Sequence, residues 1–347
     1  MAVSDNNKTV LVTGGSGFIA VHCILKLLQQ GYTVRTTLRS MNRQTEVCGM
    51  LKNGGITSFD NLSFIKADLT DDENWNEAVK NCEFVLHVAS PTPAIKFTHE
   101  DELIKPAKEG VIRVLKASRN AGVKRVVLTS AYGAIGCGHE NRKTPYTEKD
   151  WTNIHAKIHP YQKSKTIAEK TAWDFIRGEG GSLELATINP VAVMGPVLGE
   201  DFSHSQQMVR QMLEGKVVAC PKIDSCYVDV RDVSDLHLLA MTSPKAKGER
   251  FLATTGNALS MFDVAKILTR RFGDDAKKVP TTELPNWKLR LAALKNPSLK
   301  MLVTLLGKYS QASGEKAKEL LNWSPRSNEE AIVATAESLF QLGLIKG

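Results

Sequence analysis

Aromatic residues are scarce in this chain of 347 residues, at 6%, and its six cysteines are scattered. With so few rings, and no basic run for them to interleave, a surface that stacks nucleic-acid bases is not expected. No apolar run approaches the roughly 18 residues needed to span a bilayer. The polar opening MAVSDNNK lacks the apolar core of a signal peptide. A cytoplasmic protein with neither nucleic-acid nor membrane partners is therefore expected. Scattered cysteines also exclude a disulfide scaffold. Only Cys220 and Cys226 lie close together. A disulfide or a metal site there stays open, although reduced, buried thiols are the simpler expectation for such a chain and no metal is called for. Internal repeats and low-complexity tracts are missing as well.

What is present is ordinary for a globular enzyme: 42% hydrophobic and 24% charged residues, with a formal net charge of +8. Stretches such as AEKTAWDFIRGE mix both signs, so most of the positive charge reads as solvated surface, with a few cations reserved for a phosphate. The length exceeds one typical domain. The first half alternates strand and helix patterns. Strands are expected at Val10–Thr13, Thr33–Leu38, Leu62–Lys66, Phe84–Val88, Val126–Ser130 and Leu185–Asn189. Helices are expected at Val21–Gln30, near Thr45–Asn53, and at Glu73–Asn81, Pro106–Asn120 and Tyr161–Arg177. Such alternation predicts an α/β fold, a doubly wound parallel sheet of Rossmann type. A dinucleotide domain of residues 1–189 plus 227–256 and a substrate lobe of 190–226 and 257–347 follow from the loss of regularity after Asn189.

The segment TVLVTGGSGFIA carries the clearest signal. Gly14, Gly17 and Ala20 have the spacing of a dinucleotide fingerprint at the first strand-to-helix turn. The first glycine permits the tight turn, the second admits a pyrophosphate, and the third small residue packs helix on strand. Gly14, Ser16, Gly17, Phe18 and Ile19 are the expected cofactor contacts, with the anion on the helix N-terminus. Arg39 ends the second strand about twenty residues on, where a cofactor without a 2′-phosphate usually meets an acid. An arginine there suits a phosphate instead, and Arg43 offers a second cation. NADPH/NADP+ is the expected cofactor.

Tyr161 and Lys165 stand four apart at the start of a helical pattern, on one face. An ammonium beside a phenol lowers the tyrosine pKa and fits it to exchange a proton with a carbonyl oxygen.

TGGSGFIA, Ala67–Leu69 (ADL), His87–Pro91 (HVASP), Leu128–Ser130 (LTS), YQKSK and INPVAVMGP resemble the extended short-chain dehydrogenases/reductases, in the dihydroflavonol-reductase-like branch of aldehyde and ketone reductases. The C-terminal EKAKELLNWSPRSNEEAIVATAESL is similar to that branch too. The resemblance implies that Asp68 and Leu69 flank the adenine, with the Asp68 carboxylate accepting from its amino group. It places Val88, Ala89 and Ser90 near the nicotinamide, Lys165 on the ribose hydroxyls, Pro190 through Val193 on the carboxamide, and Ser205 toward the 2′-phosphate. The family has a second serine after the threonine, which polarises the carbonyl; here Ala131 holds that position. Either the strand end turns Ser130 inward, which is the expectation, or a water or another donor serves, or the activity has drifted. Tyr132 is either a wall of the substrate pocket, the favoured reading, or simple core.

The function expected is NADPH-dependent reduction of a medium-sized, partly hydrophobic aldehyde or ketone, catalysed by Tyr161, Lys165 and Ser130 in a monomer or homodimer. A nucleotide-sugar epimerase or dehydratase and a non-catalytic NADP-binding sensor are the alternatives.

Overall fold

A computed structural model describes residues 8–91, 99–140, 142–201, 203–296, 299–308 and 311–345. The first half forms β1 (Thr9–Val12), α1 (Phe18–Gln29), β2 (Thr33–Leu38), α2 (Gln44–Asn53), β3 (Leu62–Lys66), α3 (Trp75–Val79), β4 (Cys82–His87), α4 (Asp101–Asn120), β5 (Arg125–Thr129), α5 (Pro160–Glu179) and β6 (Glu184–Pro190). There follow β7 (Ala192–Met194), α6 (His204–Leu213), β8 (Cys220–Pro221), β9 (Asp224–Asp229), α7 (Val230–Thr242) and β10 (Arg250–Ala253). The chain closes with β11 (Ala258–Ser260), α8 (Met261–Phe272), β12 (Glu283–Leu284), α9 (Asn286–Lys295), α10 (Lys300–Leu305), α11 (Glu315–Leu321) and α12 (Asn328–Gln341).

Seven parallel strands make the central sheet, in the order β10-β6-β5-β4-β1-β2-β3. The order reverses at β1, so a crevice opens above its C-terminal end, where the glycine turn lies. Side-chain alternation decides the layers. Val10 and Val12 point into a core shared with α1, α7 and the C-terminal elements, while Leu11 points into a second core under α3, α4 and α5. The larger core runs unbroken from Val10 to Leu339, so the C-terminal elements pack on the sheet rather than stand apart from it.

Several boundaries differ from those read off the sequence. The helix expected at Glu73–Asn81 shrinks to α3 because Asn74 and Asn81 adopt φ of 64° and 59°, left-handed residues that interrupt it at both ends. α4 starts at Asp101 and carries Pro106 inside; Asp101 and Glu102 suit its positive N-terminal end. The seventh sheet strand, β10, gave no usable pattern in its four residues. β9 crosses the boundary expected at Tyr227, since it pairs with β7 and β11 in a separate three-stranded sheet. Cys220 and Cys226 are buried and are not joined by a disulfide.

Candidate active site

One cleft of about 1,590 Å³ runs above the sheet's C-terminal edge. At its floor the backbone turns from β1 into α1 with Gly14 at φ +71°, a conformation only glycine takes without strain. A Cβ on Gly14 would lie 2.9 Å from the Ala89 Cβ, and one on Gly15 2.2 Å from the Thr36 hydroxyl. The tight approach is thus required on both sides. Thr13 ties the turn to the strand end beside it: its hydroxyl accepts from the Ala89 N–H at 2.9 Å and meets His87 Nδ1 at 2.9 Å. Gly17 starts α1 and no side chain caps it. The first-turn N–H groups therefore point toward the cleft as an anion seat.

Gly14, Ser16, Gly17, Phe18, Ile19, Arg39, Arg43, Asp68, Leu69, Val88, Ala89, Ser90, Pro190, Val193 and Ser205 all line this cleft, as do Ser130 and Tyr161. Arg39 is exposed just beyond β2, and among the described residues its side chain makes no ion pair or hydrogen bond. Arg43 differs. Its guanidinium holds Glu46 through two bonds, at 2.7 and 2.8 Å, and Asp201 at 2.7 Å. Two acids already neutralise the expected second phosphate cation. One Asp68 oxygen accepts from the Thr70 N–H at 2.9 Å and hydroxyl at 2.8 Å, a turn of the kind aspartate often closes. Burial raises the Asp68 pKa, but those bonds, with Arg39 and Arg113 nearby, outweigh it and hold the carboxyl below its usual range.

The chemistry-bearing helix is α5. His159 caps it, its ring nitrogen accepting from the Tyr161 N–H at 3.2 Å, while Gln162 reaches back to the His159 N–H. Burial lowers the His159 pKa, which keeps the ring neutral and able to accept. Pro160 sits at the first helical position, where no N–H is missed. This start places Tyr161 in the first turn, 37% exposed and facing the cleft.

Lys165 lies one turn deeper. It is 8% exposed and borders a small adjoining hollow of about 20 Å³ rather than the cleft proper. Its ammonium donates to the Thr129 carbonyl at 3.4 Å and makes no hydrogen bond with Tyr161. Burial pushes Lys165 down to about 8, against a smaller opposing pull from Glu169. The expected lowering of the tyrosine is absent: desolvation by the cleft walls raises Tyr161 above its ordinary value. Its phenol is therefore a proton donor at neutral pH.

Ser130 lines the cleft, and its hydroxyl donates to Glu169 Oε2 at 2.5 Å. Glu169, fully buried, also accepts from Asn189 at 2.7 Å, from Thr187 at 3.2 Å and from Arg250 at 2.6 Å. The Arg250 guanidinium stacks 3.7 Å over Trp151 and reaches the carbonyls of Glu148 and Asp150. This polar knot binds α5 to β5, β6 and β10. Its one visible signal in the sequence was the spacing of Glu169, four residues beyond Lys165 on the same helix face.

At the far end the cleft is bounded by Tyr132, Cys137, His139, Tyr146, Cys226 and Leu305. Tyr132 and Tyr146 meet edge to face at 6.0 Å, and His139 packs on Tyr146 with ring centres 5.6 Å apart. His139 Nε2 is buried without a hydrogen-bond partner among the described residues. Of these, only Tyr132 was expected as a pocket wall; Cys226 stood out in the sequence for its nearness to Cys220 alone.

Fold and site together define a Rossmann-type dinucleotide-binding protein with a Tyr-x-x-x-Lys centre. The model of the NAD dependent epimerase/dehydratase family matches residues 10–253, and the chain belongs to that family. It is similar to an anthocyanidin reductase of Vitis vinifera, 32% identical over 290 residues that cover 79% of this chain and 83% of that protein. It is also similar to cinnamoyl-CoA reductase 1 of Petunia hybrida, 30% identical over 325 residues, 91% and 93% of the two chains. Among solved structures, yeast methylglyoxal/isovaleraldehyde reductase Gre2 complexed with NADPH superposes with a TM-score of 0.79 at 25% identity, covering 97% of this chain and all of that one. A UDP-glucose 4-epimerase of Thermotoga maritima gives 0.74 at 26%, over 96% and 99%.

Proposed function

We propose that this chain is an NADPH-dependent reductase of medium-sized, partly hydrophobic aldehydes or ketones. The observation that carries the reading is the cleft-lining Tyr161 phenol, kept protonated one helical turn from a buried Lys165. The glycine turn, the uncapped start of α1 and the unpaired Arg39 fit the pyrophosphate and 2′-phosphate of NADPH. That cofactor, when bound, supplies a hydride. Tyr161 then donates its proton to the carbonyl oxygen, and Lys165 stabilises the phenolate left behind. The aromatic and thiol-lined end of the cleft accommodates the apolar part of the substrate. The yeast and Candida albicans Gre2 structures hold NADPH, and the relatives named as reductases agree with this direction of chemistry.

Nucleotide-sugar chemistry is the second reading, since Lys300 and Lys308 line the cleft. Against it, the cations of the 197–226 segment are engaged by acids: Arg210 and Lys216 with Glu214, Lys222 with Glu283. NADPH oxidation by the purified chain should be followed with aromatic aldehydes, α-keto esters and UDP-sugars, using Tyr161→Phe as the control. Turnover of a carbonyl compound that the control lacks supports the reductase. UDP-sugar conversion without net NADPH consumption would replace it.

A further inference from the structure

The positive charge of the chain is less dispersed than stretches of mixed sign implied. Residues 276–308 contain seven lysines and arginines and one acid, Glu283, a net +6 of the chain's +8. That acid is itself paired with Lys222. At the centre of the segment lies α9, a helix apolar on two opposite sides. Leu289 and Ala293, 2% and 5% exposed, pack inward. Trp287, Leu291 and Leu294 point outward, exposed by 60%, 54% and 78%. At helical period those three form one stripe, with Arg290 along one edge and Lys288 and Lys295 along the other. All three cations are exposed, and Lys288 lies 5.6 Å from the Trp287 ring centre.

An outward stripe of tryptophan and leucine between basic edges has the chemistry of a helix that lies in a membrane interface. We propose that α9 docks this protein on an anionic lipid surface, the apolar stripe entering the acyl boundary and the flanking cations meeting acidic headgroups. Charge complementarity selects this occupant. A second copy pairing through the same face would bring two segments of +6 together. An acidic protein would satisfy the cations but leaves no particular role for three adjacent, solvent-facing apolar side chains. The surface also adjoins the site. α9 packs on α10, whose Lys300, Thr304 and Leu305 line the cleft, so a docked molecule would hold its cleft mouth near the bilayer. This proposal departs from the expectation that membranes play no part.

The test is co-sedimentation of the full chain with vesicles of phosphatidylcholine alone, or with phosphatidylserine at roughly one lipid in three. Binding to the acidic vesicles at least about tenfold tighter is expected, weakening as salt is raised. The triple variant Lys288→Gln/Arg290→Gln/Lys295→Gln should lose about a hundredfold in partitioning, from some fivefold per cation. Trp287→Gln/Leu291→Gln/Leu294→Gln should lose at least tenfold. Both variants change only exposed side chains, so their thermal melting and turnover of a water-soluble aldehyde should match the unmodified chain. Failure to bind acidic vesicles, equal binding to neutral ones, or unaltered binding by either variant overturns the proposal. So does a dimer in light scattering that the Gln-substituted stripe dissolves, which would make a second copy the occupant.

Discussion

Ser130 donates a hydrogen bond from its hydroxyl to the buried Glu169 carboxylate, 2.5 Å away, at the floor of the cleft that Tyr161 also lines. Ser130→Ala should therefore act on stability more than on chemistry. Glu169 loses one of its donors, at about 1–3 kcal/mol, while kcat falls less than about tenfold. Ala131→Ser, which restores a hydroxyl at the family's position, should be neutral or activating. Denaturant melts and kinetics on the two variants decide it. A loss of roughly 10²-fold or more in kcat for Ser130→Ala, the scale of a missing oxyanion donor, would show that the serine turns toward substrate during turnover.

Tyr161→Phe removes the hydroxyl and keeps the ring. Turnover should drop to below about a tenth, with NADPH affinity nearly intact, as fluorescence titration would show. Lys165→Ala should damage turnover more broadly, affecting both kcat and cofactor affinity. A Tyr161→Phe enzyme retaining most of its kcat contradicts the assignment.

The pH dependence follows from Lys165, which burial depresses to about 8. Below that value the ammonium is charged and supports the phenolate formed on Tyr161. Above it the proton leaves and the rate should decline. Glu169 pulls the lysine pKa upward, so Glu169→Gln should move the alkaline limb of kcat to lower pH. A profile of kcat against pH in both proteins measures this. An alkaline limb that stays in place in the variant would separate Glu169 from the titration of the lysine.

Arg39 and Arg43 should behave differently although they stand four residues apart. Arg39→Asp removes an unpaired cation and adds repulsion, so KM for NADPH should rise far more than KM for NADH. Arg43→Ala should change that preference little, since its guanidinium already holds Glu46 and Asp201. Equal catalytic efficiency with both cofactors in the unmodified chain would remove the 2′-phosphate role of Arg39.

Local chemistry made much of this protein legible in its residues. The glycine turn, the strand and helix periods and the Tyr161–Lys165 spacing each depend on neighbours within a few positions, where steric and periodic rules act directly. They determined the sheet, the dinucleotide crevice and the helix that carries Tyr161 and Lys165. Tertiary structure alone decided what each side chain faces. Ser130, Asn189 and Arg250 come from separate elements and converge on the one buried Glu169 carboxylate, a partner the sequence did not show for the serine. Arg43 looked available until Asp201, 158 positions away, closed on it. Tyr161 was expected to be acidified by Lys165, but the folded wall withdraws water from the phenol while the lysine turns to the Thr129 carbonyl. Burial and long-range pairing arise when distant segments pack together, and a linear pattern carries no record of which partner will arrive.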